Sequence, residues 1–91
     1  MYSKEVIVKN PTGLHARPAS EFVKEAKKYA SKVTIRPTDN RKPASNAKSI
    51  VVLLSMAITQ GTAIELSAEG PDEREAVEAL AALVESGFGE L

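Results

Sequence analysis

The stretch NPTGLHARPA, residues 10–19, marks the point at which a strand pattern changes into a helical one. Before it, Glu5–Lys9 is rich in β-branched residues and predicts a short strand. The composition of Asn10–Gly13 is typical of a turn. From Ala16 onward apolar residues recur with the helical period, and Pro18 falls in the first turn, where its missing N–H costs nothing. The stretch therefore joins the first strand to the first helix.

Three more strands are expected further along the chain. Lys32–Arg36 alternates and is β-branched, a short strand is expected around Ala44–Ala47, and Thr62–Glu69 alternates with one polar face. Between the first and second of these strands, residues 37–43 are expected to form a polar loop with two prolines.

The apolar segment Ile50–Ile58 is ambiguous, because its β-branched residues favour a strand. Ser49 at a helix N-cap position and Gly61 shortly after the segment favour a short helix, which is the interpretation adopted. Since this helix is apolar nearly all round, most of its residues are expected to be buried.

A last helix is predicted after Gly70-Pro71. Asp72 and Glu75 have the spacing of a capping box, and the helix ends at Ser86-Gly87. Its buried side is predicted to be Ala76, Val77, Leu80, Leu83 and Val84. The buried stripe of the first helix is predicted to be Ala16, Ala19, Phe22, Val23, Ala26, Tyr29 and Ala30.

The element order β-α-β-β-α-β-α predicts an α+β fold, a two-layer open-faced sandwich. Its sheet has four mostly antiparallel strands, and its three helices pack on one face. Residues 1–91 are expected to form a single domain, because a chain of this length supports one modest core.

Composition excludes several classes of site. The chain has no cysteine and one histidine, which rules out disulfides and argues against a zinc site. The longest apolar run, Ile50–Leu54, is too short to span a membrane, and residues 1–5 lead into no signal-peptide core. We expect a monomer in the cytoplasm that binds no cofactor and no metal.

Charge is divided unevenly along the chain. Residues 1–64 hold eleven Lys or Arg and four Asp or Glu, whereas residues 65–91 hold one and eight. A basic face near His15 is therefore expected to attract a phosphate or an acidic partner, and it would be formed by Arg17, Lys24, Lys27, Lys28 and Lys48. Nucleic acid is a weaker candidate because aromatic residues are few and do not alternate with basic ones.

His15 is the candidate functional residue. It is placed at or just before the first helix, where free N–H groups and a partial positive charge attract anions, and Arg17 adds a permanent cation. This environment disfavours the imidazolium, so the ring is expected to be neutral and nucleophilic near neutral pH. The alternative is a histidine that only caps or packs against the helix start.

The stretch from Asn10 to Ala19 closely resembles the active-site signature of the HPr family of phosphocarrier proteins in the bacterial sugar phosphotransferase system. Asn46–Ile50 resembles the regulatory serine region of that family, and Glu69–Glu73 and Ser86–Phe88 resemble the family and its nitrogen-related branch. The resemblance extends over essentially the whole chain.

The resemblance implies roles for three residues. His15 would accept a phosphoryl group on Nδ1 from phosphorylated enzyme I and pass it to enzyme IIA domains, while Arg17 would orient the phosphate. Ser49 would be the target of a serine kinase and phosphatase, with a transcriptional regulator as a further candidate partner. The partner-binding residues are expected to be Ser20, Lys24, Lys27, Lys48, Ile50, Val51 and Leu54, with burial of Ile50 and Leu54 in the core as the alternative.

Two other functions remain open. One is a regulatory or nitrogen-related relative that acts by docking to other proteins. The other is an enzyme that uses His15 as a general base, although no second catalytic residue and no Gly-rich cofactor loop is evident. The chain also differs from the family in a longer loop at 37–45 and in having Val52 and Ala57 where glycine is frequent.

Overall fold

Four strands form one antiparallel sheet in the computed structural model, which describes residues 1–38 and 43–90. They are β1 (Tyr2–Ile7), β2 (Lys32–Pro37), β3 (Ser45–Asn46) and β4 (Ala63–Glu69). Their order across the sheet is β1-β4-β2-β3, so β4, the last strand in sequence, lies between β1 and β2.

Three α-helices form the second layer: α1 (Ala16–Ala26), α2 (Ile50–Ser55) and α3 (Glu73–Glu85). A single 3-10 turn, Gly87–Gly89, follows α3. α3 packs against β1, β4 and β2, while α1 packs against α3 and α2 packs against α1. The predicted α+β class, a four-stranded antiparallel sheet with three helices, is confirmed.

β4 illustrates why one face of the sheet is covered. Ile64, Leu66 and Ala68 are buried, whereas Glu65 and Ser67 between them are partly exposed. Successive side chains of a strand point to opposite faces, so this alternation places the apolar half against the helices. The buried apolar side chains of the described residues form one contiguous cluster.

α1 begins at Ala16 as predicted, but its buried stripe is shorter than expected. The helix ends at Ala26, so Tyr29 and Ala30 lie beyond it and do not continue the helical pattern. Ala30 and Ala16 are exposed. The residues that α1 buries are Pro18, Ala19, Phe22, Val23 and Ala26.

α2 is a helix, but the prediction that most of it is buried is wrong. Only Leu53 is fully buried, while Val51 is 72% exposed and Leu54 is 44% exposed. The helix is short, and it lies beside α1, which covers only one of its sides. Met56 and Ile58, which follow the helix, are buried instead.

The predicted capping box at the start of α3 is also wrong. Asp72 is the N-cap residue, but its side chain makes no cap hydrogen bond. Its carboxylate instead accepts bonds from the backbone N–H groups of Ala30 and Ser31, both at 2.9 Å, and from the Ser31 hydroxyl. Asp72 therefore connects α3 to the segment after α1.

Gly70 makes this connection sterically feasible. Its φ is +151°, and a Cβ at this position would lie 2.6 Å from Oγ of Ser31. Elsewhere the predicted and observed elements differ by up to three residues at their ends. The predicted polar loop at 37–43 lies mostly outside the described residues.

Candidate functional site

His15 is the N-cap residue of α1, with an extended backbone (φ −127°, ψ 161°) and a half-buried side chain. Its imidazole makes no cap hydrogen bond, so a role as a side-chain cap is wrong, whereas the alternative of a histidine that packs against the helix start stays open. The first N–H groups of a helix have no partner within the helix. The site therefore combines a ring nitrogen with an anion-attracting helix start.

The backbone bends sharply just after His15. Ala16 has a φ of +49°, in the left-handed region that residues other than glycine seldom adopt. Such a conformation costs on the order of 1–3 kcal/mol and persists only where surrounding contacts hold it. The contacts on both sides of His15 are therefore part of the site.

The loop before His15 is held by the turn from Asn10 to Gly13. The Gly13 N–H donates to the Asn10 carbonyl at 3.1 Å, and Nδ2 of Asn10 donates to the Gly13 carbonyl at 2.8 Å. Leu14 is fully buried, and its N–H donates to the Ile58 carbonyl at 3.0 Å. These bonds fix the backbone that leads into His15.

Gly13 is needed where the loop crosses the segment after α2. Its φ is +67°, and a Cβ there would lie 2.3 Å from the carbonyl oxygen of Ile58. Glycine alone lacks the atom that would collide, and it adopts a positive φ readily.

Arg17 lies in the first turn of α1 with a largely exposed side chain. Its guanidinium donates to the Glu21 carboxylate and, at 3.1 Å, to the carbonyl oxygen of Phe88. The cation is therefore held beside the start of α1 by a contact with the end of the described chain.

Glu90 is a site residue that the sequence analysis missed. Its carboxylate accepts bonds from the Thr12 N–H at 3.3 Å, the Thr12 hydroxyl at 2.9 Å and Nδ2 of Asn10 at 3.2 Å. The Thr12 hydroxyl is the main reason that the pKa of Glu90 lies below its usual value, and Arg17 lowers it further. No local pattern links positions 12 and 90, which are 78 residues apart.

Ser49 is the N-cap of α2, as predicted. Its Oγ accepts a bond from the Val52 N–H at 3.3 Å. Beside it, Ile50, Val51 and Leu54 expose apolar surface, and a shallow groove between α1 and α2 is lined by Ser20, Val23, Lys24, Lys27 and Ile50. The alternative that Ile50 and Leu54 are core residues is wrong, and most of the predicted docking residues share one surface.

Lys48 differs from the other predicted docking residues. Its side chain is half-buried, and Nζ donates to the Tyr29 carbonyl at 2.7 Å. The ammonium therefore anchors the segment before α2 to the segment after α1, and it is not a freely mobile surface charge.

Within residues 1–38 and 43–90, no group of three or more His, Cys, Asp or Glu side chains has a geometry suited to a metal ion. No helix in that part of the chain is long and apolar enough to cross a membrane.

Comparisons with known proteins agree along nearly the whole chain. A family model described as "PTS HPr component phosphorylation site" matches residues 2–86. Phosphocarrier protein HPr of Haemophilus influenzae is 51% identical over 84 residues, which are 92% of this chain and 95% of that protein. The HPr-like protein Crh of Halalkalibacterium halodurans is 51% identical over 85 residues, 93% of this chain and 98% of that protein.

The fold comparison gives the same result. The crystal structure of HPr-C-His from Thermoanaerobacter tengcongensis has a TM-score of 0.92 and 45% sequence identity, and the match covers 100% of this chain and 99% of that one.

Proposed function

This chain belongs to the HPr family of the phosphotransferase system, and we propose on that basis that it carries a phosphoryl group on His15. The observation that carries the proposal is the placement of the imidazole at the start of α1, free of any cap bond, with Arg17 in the first turn of the same helix. We propose a covalent carrier in the cytoplasm, acting as a single domain and as a monomer, and not an enzyme with a substrate of its own.

The proposed transfer requires little chemistry from the protein itself. A ring nitrogen of His15 attacks phosphorus, and an N–P bond forms as the bond that holds phosphorus on enzyme I breaks. The N–H groups of α1 and the Arg17 guanidinium stabilise the charge on the phosphoryl oxygens. The reverse exchange passes the group to an enzyme IIA domain, with positioning as the main contribution.

Partner docking is proposed on the surface beside the site. The exposed Ile50, Val51 and Leu54 supply apolar contact area, and Lys24 of α1 and Lys27 at the C-cap of that helix supply positive charge for an acidic partner. Ser20 lies in the same groove, whereas Lys48 contributes by holding the backbone before α2 in place.

Ser49 is proposed as a regulatory phosphorylation site for a serine kinase. A phosphate there would add about −1.5 to −2 charges at the N-terminus of α2, where the helix dipole tolerates it. The added charge would lie next to the docking surface, so it is expected to weaken binding of acidic partners. A transcriptional regulator that prefers the phosphorylated form is the further proposed partner.

A regulatory relative without carrier function is the second candidate. The observation that favours it is the 51% identity to Crh, which equals the identity to an HPr protein. The two candidates differ in their dependence on His15, because docking through Ser49 and α2 does not need the imidazole.

Phosphate transfer from phosphoenolpyruvate through enzyme I tests the carrier proposal. The wild-type protein should acquire phosphate that is labile in acid and stable in alkali, and His15→Ala should acquire none. Ser49→Ala is the matched control, because it keeps the imidazole and should be labelled normally. Absence of labelling of the wild type by its cognate enzyme I would overturn the carrier proposal and favour the regulatory one.

A further inference from the structure

Arg17 is the cation of the candidate site, and its guanidinium already has two acceptors. Nη1 donates to the Glu21 carboxylate, and Nη2 donates at 3.1 Å to the carbonyl oxygen of Phe88. A phosphate binds a guanidinium most strongly when it accepts two parallel bonds from it. On the edge formed by Nη1 and Nη2, that geometry becomes available only when one of the present acceptors moves away.

Glu21 is the acceptor that can move. It lies one helical turn after Arg17 on α1, and the side chains of Arg17 and Glu21 are 59% and 37% exposed. The other acceptor is a backbone carbonyl of Phe88, whose side chain is 3% exposed and therefore anchored in the core. An anion that binds Arg17 is thus expected to displace the Glu21 side chain, which can rotate into solvent, and to leave the Phe88 carbonyl in place.

Glu21 also interrupts a basic face of α1. Residues 17, 20, 21 and 24 have the i, i+3, i+4, i+7 spacing of one helix face, and Ser20 and Lys24 of this set line the groove beside α2. A carboxylate at position 21 therefore lies between the cations of Arg17 and Lys24. It is placed where it competes with an anion that this face attracts.

We propose that Glu21 is a positioning residue that holds the Arg17 guanidinium in the unloaded protein and competes for it with the phosphoryl group. The inference rests on the proposed function, in which Arg17 orients the phosphate on His15. When the group arrives, the Arg17–Glu21 pair breaks and the guanidinium bonds to phosphoryl oxygens; when the group leaves, the pair forms again. The guanidinium then has an anionic partner in both states, and the affinity of the site for phosphate is kept low.

The weakness of an exposed ion pair suits this exchange. An Arg–Glu pair at i, i+4 on a helix surface changes an equilibrium constant by a factor of only about two. A phosphoryl dianion carries more charge than one carboxylate, so it can displace Glu21. The competition nevertheless lowers the apparent affinity for the anion by the same factor of about two.

Binding of inorganic phosphate measures this competition without enzyme I. The dissociation constant is obtained at pH 8 and constant ionic strength from the shift of the His15 ring protons in NMR titrations. Glu21→Gln should bind phosphate roughly twofold more tightly than the wild type, because a neutral amide competes less well for the guanidinium. A purely structural role of the Arg17–Glu21 pair predicts the opposite sign, because a less ordered guanidinium would bind phosphate more weakly.

Glu25→Gln is the matched control, because it removes one negative charge from the same helix. The Glu25 carboxylate accepts bonds from Lys28 at 3.0 Å and from the Tyr29 hydroxyl at 3.2 Å, and in the described residues it accepts none from Arg17. The phosphate affinity of Glu25→Gln should equal that of the wild type. An equal gain in both variants would make net charge responsible and would overturn the inference.

A double-mutant cycle separates action through Arg17 from direct repulsion of the anion. In an Arg17→Gln background phosphate should bind more weakly, and the additional Glu21→Gln change should have no effect. An equal effect of Glu21→Gln in that background would overturn the inference, as would the absence of tighter binding by Glu21→Gln alone. Normal labelling of His15 by enzyme I in that case would leave the carrier function intact. Titrations as expected, without labelling by the cognate enzyme I, would contradict the carrier function alone.

Discussion

At the scale of single residues, the role of Asp72 depends on partners that lie 41 or 42 residues away in the sequence. The Ser31 hydroxyl and the N–H groups of Ala30 and Ser31 hold the pKa of this carboxyl below its ordinary value of 3.8. Since the folded-state pKa is lowered, the contribution to stability is complete above the ordinary value and is lost as the pH falls through the folded-state value.

Asp72→Asn should therefore lower stability at pH 7, and the difference from the wild type should shrink as the pH falls through the lowered folded-state pKa of the carboxyl. Urea unfolding over a series of pH values provides the measurement. Glu75→Gln is the control, because it alters the other half of the predicted capping box and should leave stability unchanged. An equal loss in both variants would indicate that the capping box exists after all.

Gly13 shows how a close backbone approach limits side-chain size. Gly13→Ala should destabilise the fold by about 2–4 kcal/mol, since the new Cβ combines a strained φ with a collision against the Ile58 carbonyl. Gly61→Ala is the matched control: Gly61 also has a positive φ, but its Cβ would meet no atom within 4 Å. We expect it to be unfavourable by only about 1–2 kcal/mol. Equal losses in urea unfolding would show that the collision is relieved by local movement.

At the scale of secondary structure elements, α2 has one leucine in the core and one on the surface. Leu53 has no exposed surface, and Leu54 is 44% exposed. Leu53→Ala should reduce the free energy of unfolding by about 2–5 kcal/mol, and Leu54→Ala should change it by about 0.5 kcal/mol or less.

Leu54→Ala also tests the proposed docking surface. Leu54→Ala should raise the KM for phosphoryl transfer from enzyme I several-fold, with stability preserved, because it removes contact area from the partner interface. An unchanged KM for a folded Leu54→Ala protein would place the docking surface elsewhere.

At the scale of the whole molecule, negative charge is concentrated on α3, which has four glutamates and one arginine, whereas basic side chains line the groove between α1 and α2. Ser20, Lys24 and Lys27 face the groove beside α2, while Lys32 lies on the opposite side of the sheet from the buried layer. Lys27→Gln should lower kcat/KM for transfer from enzyme I a few-fold at low salt, and the difference should shrink at high salt as the charges are screened.

Lys32→Gln makes the same change in net charge away from the groove. Its transfer kinetics should match those of the wild type at each salt concentration. A similar loss for Lys27→Gln and Lys32→Gln would mean that overall charge, and not the groove, attracts the partner.

One part of the candidate site could be predicted from the sequence, and another part could not. The placement of His15, Arg17 and Ser49 at helix starts was predictable, because helix starts have local sequence signals. Thr12 and Glu90 were not predictable as a pair, because their contact depends on where the segment after α3 meets the turn before α1.

The order of the elements, the α+β class and the start of α1 at Ala16 were predictable from the sequence, because hydrophobic periodicity and turn chemistry act over a few neighbouring residues. The exposed side of α2 and the bonds from Asp72 to Ser31, from Lys48 to Tyr29 and from Glu90 to Thr12 depend instead on the folded arrangement. These contacts join residues far apart in the chain, and they form only when the helices pack on the sheet and bring the segments together.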